Sequence, residues 1–150
     1  MIGLIQRVAR AQVTSGGRCL GAIERGTLAL IGVRRGDDTR SADRLLERLL
    51  AYRIFPDAAG RMNISLSEAG GGLLLVPQFT LAADTHKGTR AGFSAAADPE
   101  LARSLFVYLV QQAHARHEPV AEGEFGAQMQ VELVNDGPVT FWLEAHAQSS

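Results

Sequence analysis

The sequence predicts one α/β domain, in which a strongly curved, largely antiparallel, barrel-like sheet packs against two main helices. Three observations lead there. The chain has 150 residues, a length that suits one domain with a sizeable core, and no linker or internal repeat divides it. Short apolar runs bounded by Gly and Asp clusters recur along it, which is the pattern of strands. Two longer stretches instead carry their apolar residues at helical spacing.

In chain order, residues 1–13 mix apolar residues with Gln6, Arg7 and Arg10 in a strand pattern. Ser15-Gly16-Gly17 supplies a turn, and residues 18–23 return antiparallel. Gly26 precedes a third run, 27–33, which is almost wholly apolar and therefore central in a sheet. Arg35-Gly36-Asp37-Asp38 breaks it. A helix follows over 39–53, with Asp38 or Thr39 as cap and Leu45, Leu46, Leu49 and Leu50 as its apolar stripe. The turn 56–60 leads to a short segment, 62–66. Glycines 70–72 then open a buried strand, 73–76, that ends at Pro77. Residues 82–93 are polar and read as a loop. Asp98-Pro99 starts the second helix, with a capping carboxylate and Pro at the first helical position; Leu101, Leu105, Leu109 and Ala113 carry it to about His117. Three strands finish the chain, at 120–125, 128–134 and 139–145. Asn135-Asp136-Gly137-Pro138 reads as a turn between the last two.

Composition narrows the function. Hydrophobic residues make up 46%, charged residues 21%, and the net charge is −1. Such a balance is that of a globular protein and argues against long tracking along a nucleic-acid backbone. Any contact with RNA is expected to be local. Of the 15 cations only Lys87 is Lys, a bias that favours no function. Cys19 is the only cysteine, so no intrachain disulfide forms, and it is expected to behave as a small semi-buried apolar residue. No apolar stretch approaches a membrane span, and no leader pattern opens the chain, so the expectation is a cytoplasmic protein with no membrane partner.

The familiar sources of chemistry are weak here. His114 and His117 lie three apart on the second helix, but a metal site needs a further ligand, and solvated helix histidines are the simpler reading. His86 falls in the polar loop and His146 near the end of the chain. No nucleophile elbow, P-loop or dinucleotide fingerprint is present. No metal and no cofactor is expected. Two other segments stand out. In Val76-Pro77-Gln78-Phe79-Thr80-Leu81 a buried strand ends in an amide, an aromatic ring and a hydroxyl. Pro77 has no N–H and marks a strand end, beyond which backbone N–H groups are free to face a pocket. The plainer reading makes Phe79 core and Thr80 a turn cap. The second segment, Asn135 to Thr140, is by the same standard a hairpin turn, and composition does not decide the isomer of its X-Pro bond.

Taken together, these segments resemble the D-aminoacyl-tRNA deacylase family over nearly the whole chain. Gln6-Arg7-Val8 through Ala11 and Val13 matches its opening strand, and Leu30 to Val33 its third. Arg53-Ile54-Phe55 through Gly60-Arg61-Met62-Asn63 matches the segment after the first helix. Gln78-Phe79-Thr80-Leu81 and Asn135-Asp136-Gly137-Pro138-Val139-Thr140 match the two signature motifs, in order and at the family's spacing. Three positions depart: Pro77 stands where Ser is common, Ala91 where Pro is usual, and Arg61 replaces Lys.

The resemblance implies hydrolysis of the ester joining a D-amino acid to the terminal ribose of tRNA. Such an ester is already activated, so a placed water, donors for the developing oxyanion and a configuration-selective pocket suffice. Backbone N–H groups of Phe79 and Thr80 are the candidate donors, and Gln78 the group that orients ester or ribose. Thr80 has two readings. As a nucleophile it needs a base that no nearby motif residue supplies; as a positioning group it leaves activation of water to the RNA's own 2′-hydroxyl. The resemblance further implies a homodimer in which Gly137-Pro138, as a cis dipeptide clamped by Arg7, enters the partner's site and excludes L-residues by main-chain collision. The partners implied are a second copy of the chain and the acceptor end of aminoacyl-tRNA, not DNA. Two alternatives, a module that binds tRNA ends without hydrolysis and an L-selective editing hydrolase of the same fold, are disfavoured by the intact Gln78-Phe79-Thr80 together with Gly137-Pro138.

Overall fold

The computed structural model describes residues 1–146. Its frame is set by the long strand β1 (Ile2–Ser15). Gly16 and Gly17, at φ +57° and +79°, turn the chain where an L side chain is disfavoured. The chain then runs back along one edge of β1, first as β2 (Arg18–Ile23) and then as β3 (Gly26–Gly32). Ser15 pairs Arg18 at one end and Ile2 pairs Gly32 at the other. Helix α1 (Thr39–Ala51) follows, and Asp38 caps it by accepting from the N–H groups of Arg40 and Ser41. The hairpin of β4 (Arg53–Pro56) and β5 (Met62–Ser65) leads to a single helical turn, α2 (Leu66–Ala69).

Strand β6 (Gly72–Pro77) pairs β3 in parallel, and β7 (Val120–Glu122) pairs β6 in parallel. The antiparallel expectation thus holds for every partner of β1, while the far side of the sheet is parallel. Between β6 and β7 the chain forms a 3₁₀ turn, Phe79–Ala82, a long loop, and α3 (Pro99–Arg116), which Asp98 caps. The final strand, β8 (Gln130–Glu144), covers the other edge of β1. Curling brings β2 over β7, where a Cβ on Gly21 would lie 3.0 Å from the carbonyl oxygen of Glu122. The parallel start at Gly26 and Gly72 is tighter still: a Cβ on Gly26 would lie 2.0 Å from the Gly72 oxygen.

Alternation along the strands builds two cores. Leu73 and Leu75 of β6, with Ile5, Ala29 and Ile31, face α1 and α3 and meet Leu45, Leu46, Leu49, Leu105 and Leu109. Their neighbours Leu74 and Val76 point the other way, into the curl, against Val8, Val13, Ile23 and Leu28. A sheet buried on both faces explains why these strands read as continuous apolar runs. Among the described residues no helix is long and apolar enough to cross a membrane.

The structure corrects several boundaries. The expected strands 128–134 and 139–145 are one strand, β8, and both halves pair with β1. Residues 135–138 are therefore no hairpin turn; they lie where the ladder bulges. Helix α1 ends at Ala51 because Arg53 already belongs to β4, and β7 stops at Glu122. Cys19 is exposed rather than semi-buried.

Candidate active site

The first candidate segment grows directly from the sheet. Gln78 extends the β3–β6 ladder by one bond, its N–H donating to Ile31 O at 2.8 Å. Alternation puts the nitrogen of Pro77 on the β7 side, where pairing has ended at Leu75–Glu122, so the missing N–H leaves no ladder partner unmet. The 3₁₀ turn then docks on the backbone of Gly32, where a Cβ would lie 2.9 Å from that of Leu81. This is a position that only Gly fills without displacing the turn.

At the start of such a turn the first N–H groups have no acceptor within it. The turn itself is closed by Leu81 N–H to Gln78 O and Ala83 N–H to Thr80 O. Among the described residues the N–H groups of Phe79 and Thr80 donate to no protein group. Phe79 is 61% exposed, so it is not the core residue that the plainer reading made it. Its ring leans on Phe93 with centroids 5.3 Å apart. The Gln78 side-chain amide donates to Thr80 Oγ1, and no carboxylate or imidazole of the described residues bonds that hydroxyl. The segment therefore offers two N–H donors, an amide, a hydroxyl and an exposed ring, with no adjoining base. Phe79 lines two clefts. One, of about 240 Å³, also has Pro77, Ala97, Pro99 and Phe125 in its wall. The other, of about 650 Å³, has Arg35, Phe93 and Asp98.

The second segment lies elsewhere. Thr140 of β8 pairs Gln6 and Asn135 pairs Val8, so residues 136–139 bulge out opposite Arg7 alone. The bulge is tied from within and from behind. Val139 N–H donates to the Asn135 side chain at 3.1 Å, and the Asn135 amide donates to Thr140 Oγ1 at 2.9 Å. Arg7 Nε donates to the Asp136 carbonyl at 3.1 Å and Nη1 to the Ile54 carbonyl at 2.8 Å. Arg7 is only 12% exposed, which fixes the guanidinium between bulge and hairpin. Gly137, at φ +130°, leaves no room for a side chain: a Cβ would lie 2.7 Å from Val139 Cγ2 and 3.0 Å from Arg7 Nη2. The Gly137–Pro138 peptide bond is cis.

One chain does not bring the two segments together. Gln78 lies level with Gly32 and hence with Ile2, whereas Gly137 lies level with Arg7. That offset is roughly 17 Å along the strands, with the widths of β3 and β1 between them. The histidine pair does not form a site either. His114 Nε2 lies 3.1 Å from Glu122 Oε2, whereas His117 Nε2 lies 2.7 Å from the Gly71 carbonyl. Among the described residues no three His, Cys, Asp or Glu side chains are grouped to hold a metal ion. What sequence reasoning missed is the setting of Glu144. Its carboxylate accepts from Arg34 at 3.1 Å and from Trp142 at 2.8 Å, and these bonds hold its pKa down at about 2.

A curled α/β domain with an exposed strand-end motif and a clamped Gly-Pro bulge is thus the class that fold and site define. A family model described as D-Tyr-tRNA(Tyr) deacylase matches residues 4–144, and the chain belongs to that family. It is 65% identical over 144 residues to a D-aminoacyl-tRNA deacylase of Thioalkalivibrio sulfidiphilus, covering 96% of this chain and 97% of that one. Among solved structures it is similar to the c-Myc DNA Unwinding Element Binding Protein. There the TM-score is 0.92 and the identity 35%, over 97% of this chain and 99% of the other. A probable eukaryotic D-amino acid tRNA deacylase shares the fold at TM-score 0.78 and 18% identity, over 95% and 98% of the two chains.

Proposed function

We propose that this protein hydrolyses the ester of D-aminoacyl-tRNA, and of glycyl-tRNA, in the cytoplasm, as a homodimer whose two sites are completed in trans. Substrate enters at Gln78-Phe79-Thr80. The N–H groups of Phe79 and Thr80 meet the developing oxyanion, Gln78 orients ester or ribose, and Thr80 positions rather than attacks. The Gly137-Pro138 bulge of the partner subunit lies over the α-carbon, and its main-chain atoms leave no space for an L side chain. Arg7 holds that bulge in place. The observation that carries the trans arrangement is the separation of the two segments on one chain: a subunit's own bulge is too far from its own strand-end motif to act there. The names of the relatives support the substrate class.

The similar structure named for binding a DNA element favours a second reading, a nucleic-acid binder without hydrolysis. Deacylation of D- and L-charged tRNA separates the two. A deacylase clears the D-ester and spares the L-ester; a mere binder spares both, and an L-editing enzyme reverses the order.

A further inference from the structure

We propose that Arg103 is a positioning residue for the site beside Phe79. Its guanidinium, laid over the Phe125 ring, fixes one wall of the cleft of about 240 Å³ that opens next to the strand-end motif. This rests on the proposed reading of Gln78-Phe79-Thr80 as the place where the ester is cleaved. No side chain around that cleft is charged or carries a hydrogen-bonding group. Pro77, Ala97, Pro99 and Ala102 complete the wall that Phe79 and Phe125 begin, and Gly126 adds backbone alone. Such a wall contributes shape, so its value depends on how firmly each part is held.

Most of the wall has rigid support. Pro77 ends β6, and Pro99 and Ala102 belong to the first turn of α3. Ala97 is tied by its N–H to the Val33 carbonyl at 3.1 Å. Phe125 is different, because residues 123–129 lie between β7 and β8, outside both ladders. The ends of that segment are fixed: Gly123 N–H donates to Leu75 O at 2.8 Å, and Ser15 Oγ to Gln128 O at 2.7 Å. Between them the backbone bond is internal, from Ala127 N–H to Glu124 O at 3.2 Å. The ring is only partly buried against the helix-side core. Arg103 supplies the remaining hold, with Cζ 5.0 Å from the ring centroid. Its Nη2 also reaches the next residue, where a Cβ on Gly126 would lie 3.4 Å away. A guanidinium at that distance is attracted to the negative face of the ring and stacks on it as a plane. Arg103 directly follows Ala102 on α3, so the helix that forms one side of the cleft also pins the opposite one.

The test compares wild type, Arg103→Ala, Arg103→Lys and Arg103→Glu on D-alanyl-tRNA and on the D-alanyl ester of adenosine alone. A wall that touches the substrate equally before and during reaction acts on KM and not on kcat. Arg103→Ala should raise KM about two- to fivefold, the equivalent of one exposed cation–π contact, with kcat unchanged. Arg103→Lys keeps a cation over the ring and should recover most of the loss. Arg103→Glu sets an anion against the ring's negative face and should raise KM above that of Arg103→Ala. The adenosine ester carries no phosphate, so the rise should be the same on both substrates. Amide hydrogen exchange gives a readout independent of activity: Arg103→Ala should speed exchange within 123–129 and leave α3 protected. A wild type that cleaves no ester would sink the proposed activity, and the exchange result alone would then decide whether Arg103 holds Phe125. A rise in KM on tRNA alone would make Arg103 a phosphate contact and overturn the assignment. So would a fall in kcat, no recovery by Arg103→Lys, or unchanged exchange at 123–129.

Discussion

The guanidinium of Arg7 joins two elements remote in sequence, donating to the Asp136 carbonyl at 3.1 Å and to the Ile54 carbonyl at 2.8 Å. A planar fork satisfies two carbonyls at fixed directions, and an ammonium group does not. Arg7→Lys should therefore keep the charge yet free the bulge at 136–139. Displacement of a positioning group by about 1 Å costs on the order of 10²-fold in rate. We expect a fall of that size in kcat/KM on D-aminoacyl-tRNA with little change in melting temperature. Arg7→Lys at wild-type rate would remove Arg7 from the account.

Completion in trans predicts complementation. Gly137→Val forces a side chain into the space of Val139 and Arg7 at φ +130°, which should abolish activity. Gln78→Ala removes the amide proposed to orient the ester at the other segment. Mixed dimers of the two contain one intact site, so refolding them together should restore about a quarter of wild-type activity. Sedimentation of a fully active monomer near 16.1 kDa would contradict this.

On the proposed mechanism Thr80→Ala should keep substantial activity, because there the N–H of Thr80 and not its hydroxyl meets the oxyanion. Losing a single oxyanion donor costs about 10²–10³ in rate. A loss of that size from Thr80→Ala, with the fold intact, would instead make the hydroxyl the nucleophile.

The Glu144 carboxylate is held at about 2, below its ordinary 4.5, first by the hydrogen bond from Arg34 and then by that from Trp142. A depressed folded-state pKa gives stability that is present above the unfolded value and lost as pH falls toward the folded one. Wild type should thus lose melting temperature between about pH 5 and pH 2, and Glu144→Gln should flatten that part of the curve. Trp142 is the only tryptophan, so its fluorescence should follow the same transition. Identical acid profiles for the two proteins would show that the Arg34–Glu144–Trp142 cluster contributes nothing to folding.

Much of this architecture is legible locally. Asp98-Pro99 announces α3 because capping and a fixed φ act within one turn, and the leucine stripe of α1 reports its buried face. The last strand is not legible in that way. Asn135-Asp136-Gly137-Pro138 has hairpin chemistry, and only the pairing of both flanks with β1 shows one bulged strand. Parallel pairing of β3 with β6 is likewise a tertiary fact, since an apolar run looks alike in either direction. At the candidate site, the strand end marks Gln78, Phe79 and Thr80 in the sequence itself. Their distance from Gly137 on one chain follows from register, which no local pattern carries.

Chiral exclusion by main-chain atoms is tested most directly by the deacylation of glycyl-, D-alanyl- and L-alanyl-tRNA under one set of conditions. A filter of this kind rejects by collision, and glycine has nothing to collide. The methyl that separates glycine from D-alanine is worth only about 1–3 kcal/mol in a pocket. We expect D-alanyl- and glycyl-tRNA both to be cleaved and L-alanyl-tRNA to be spared. If glycyl-tRNA survives as well as L-alanyl-tRNA does, or if the L-ester is the one cleaved, steric exclusion by the Gly137-Pro138 bulge is wrong.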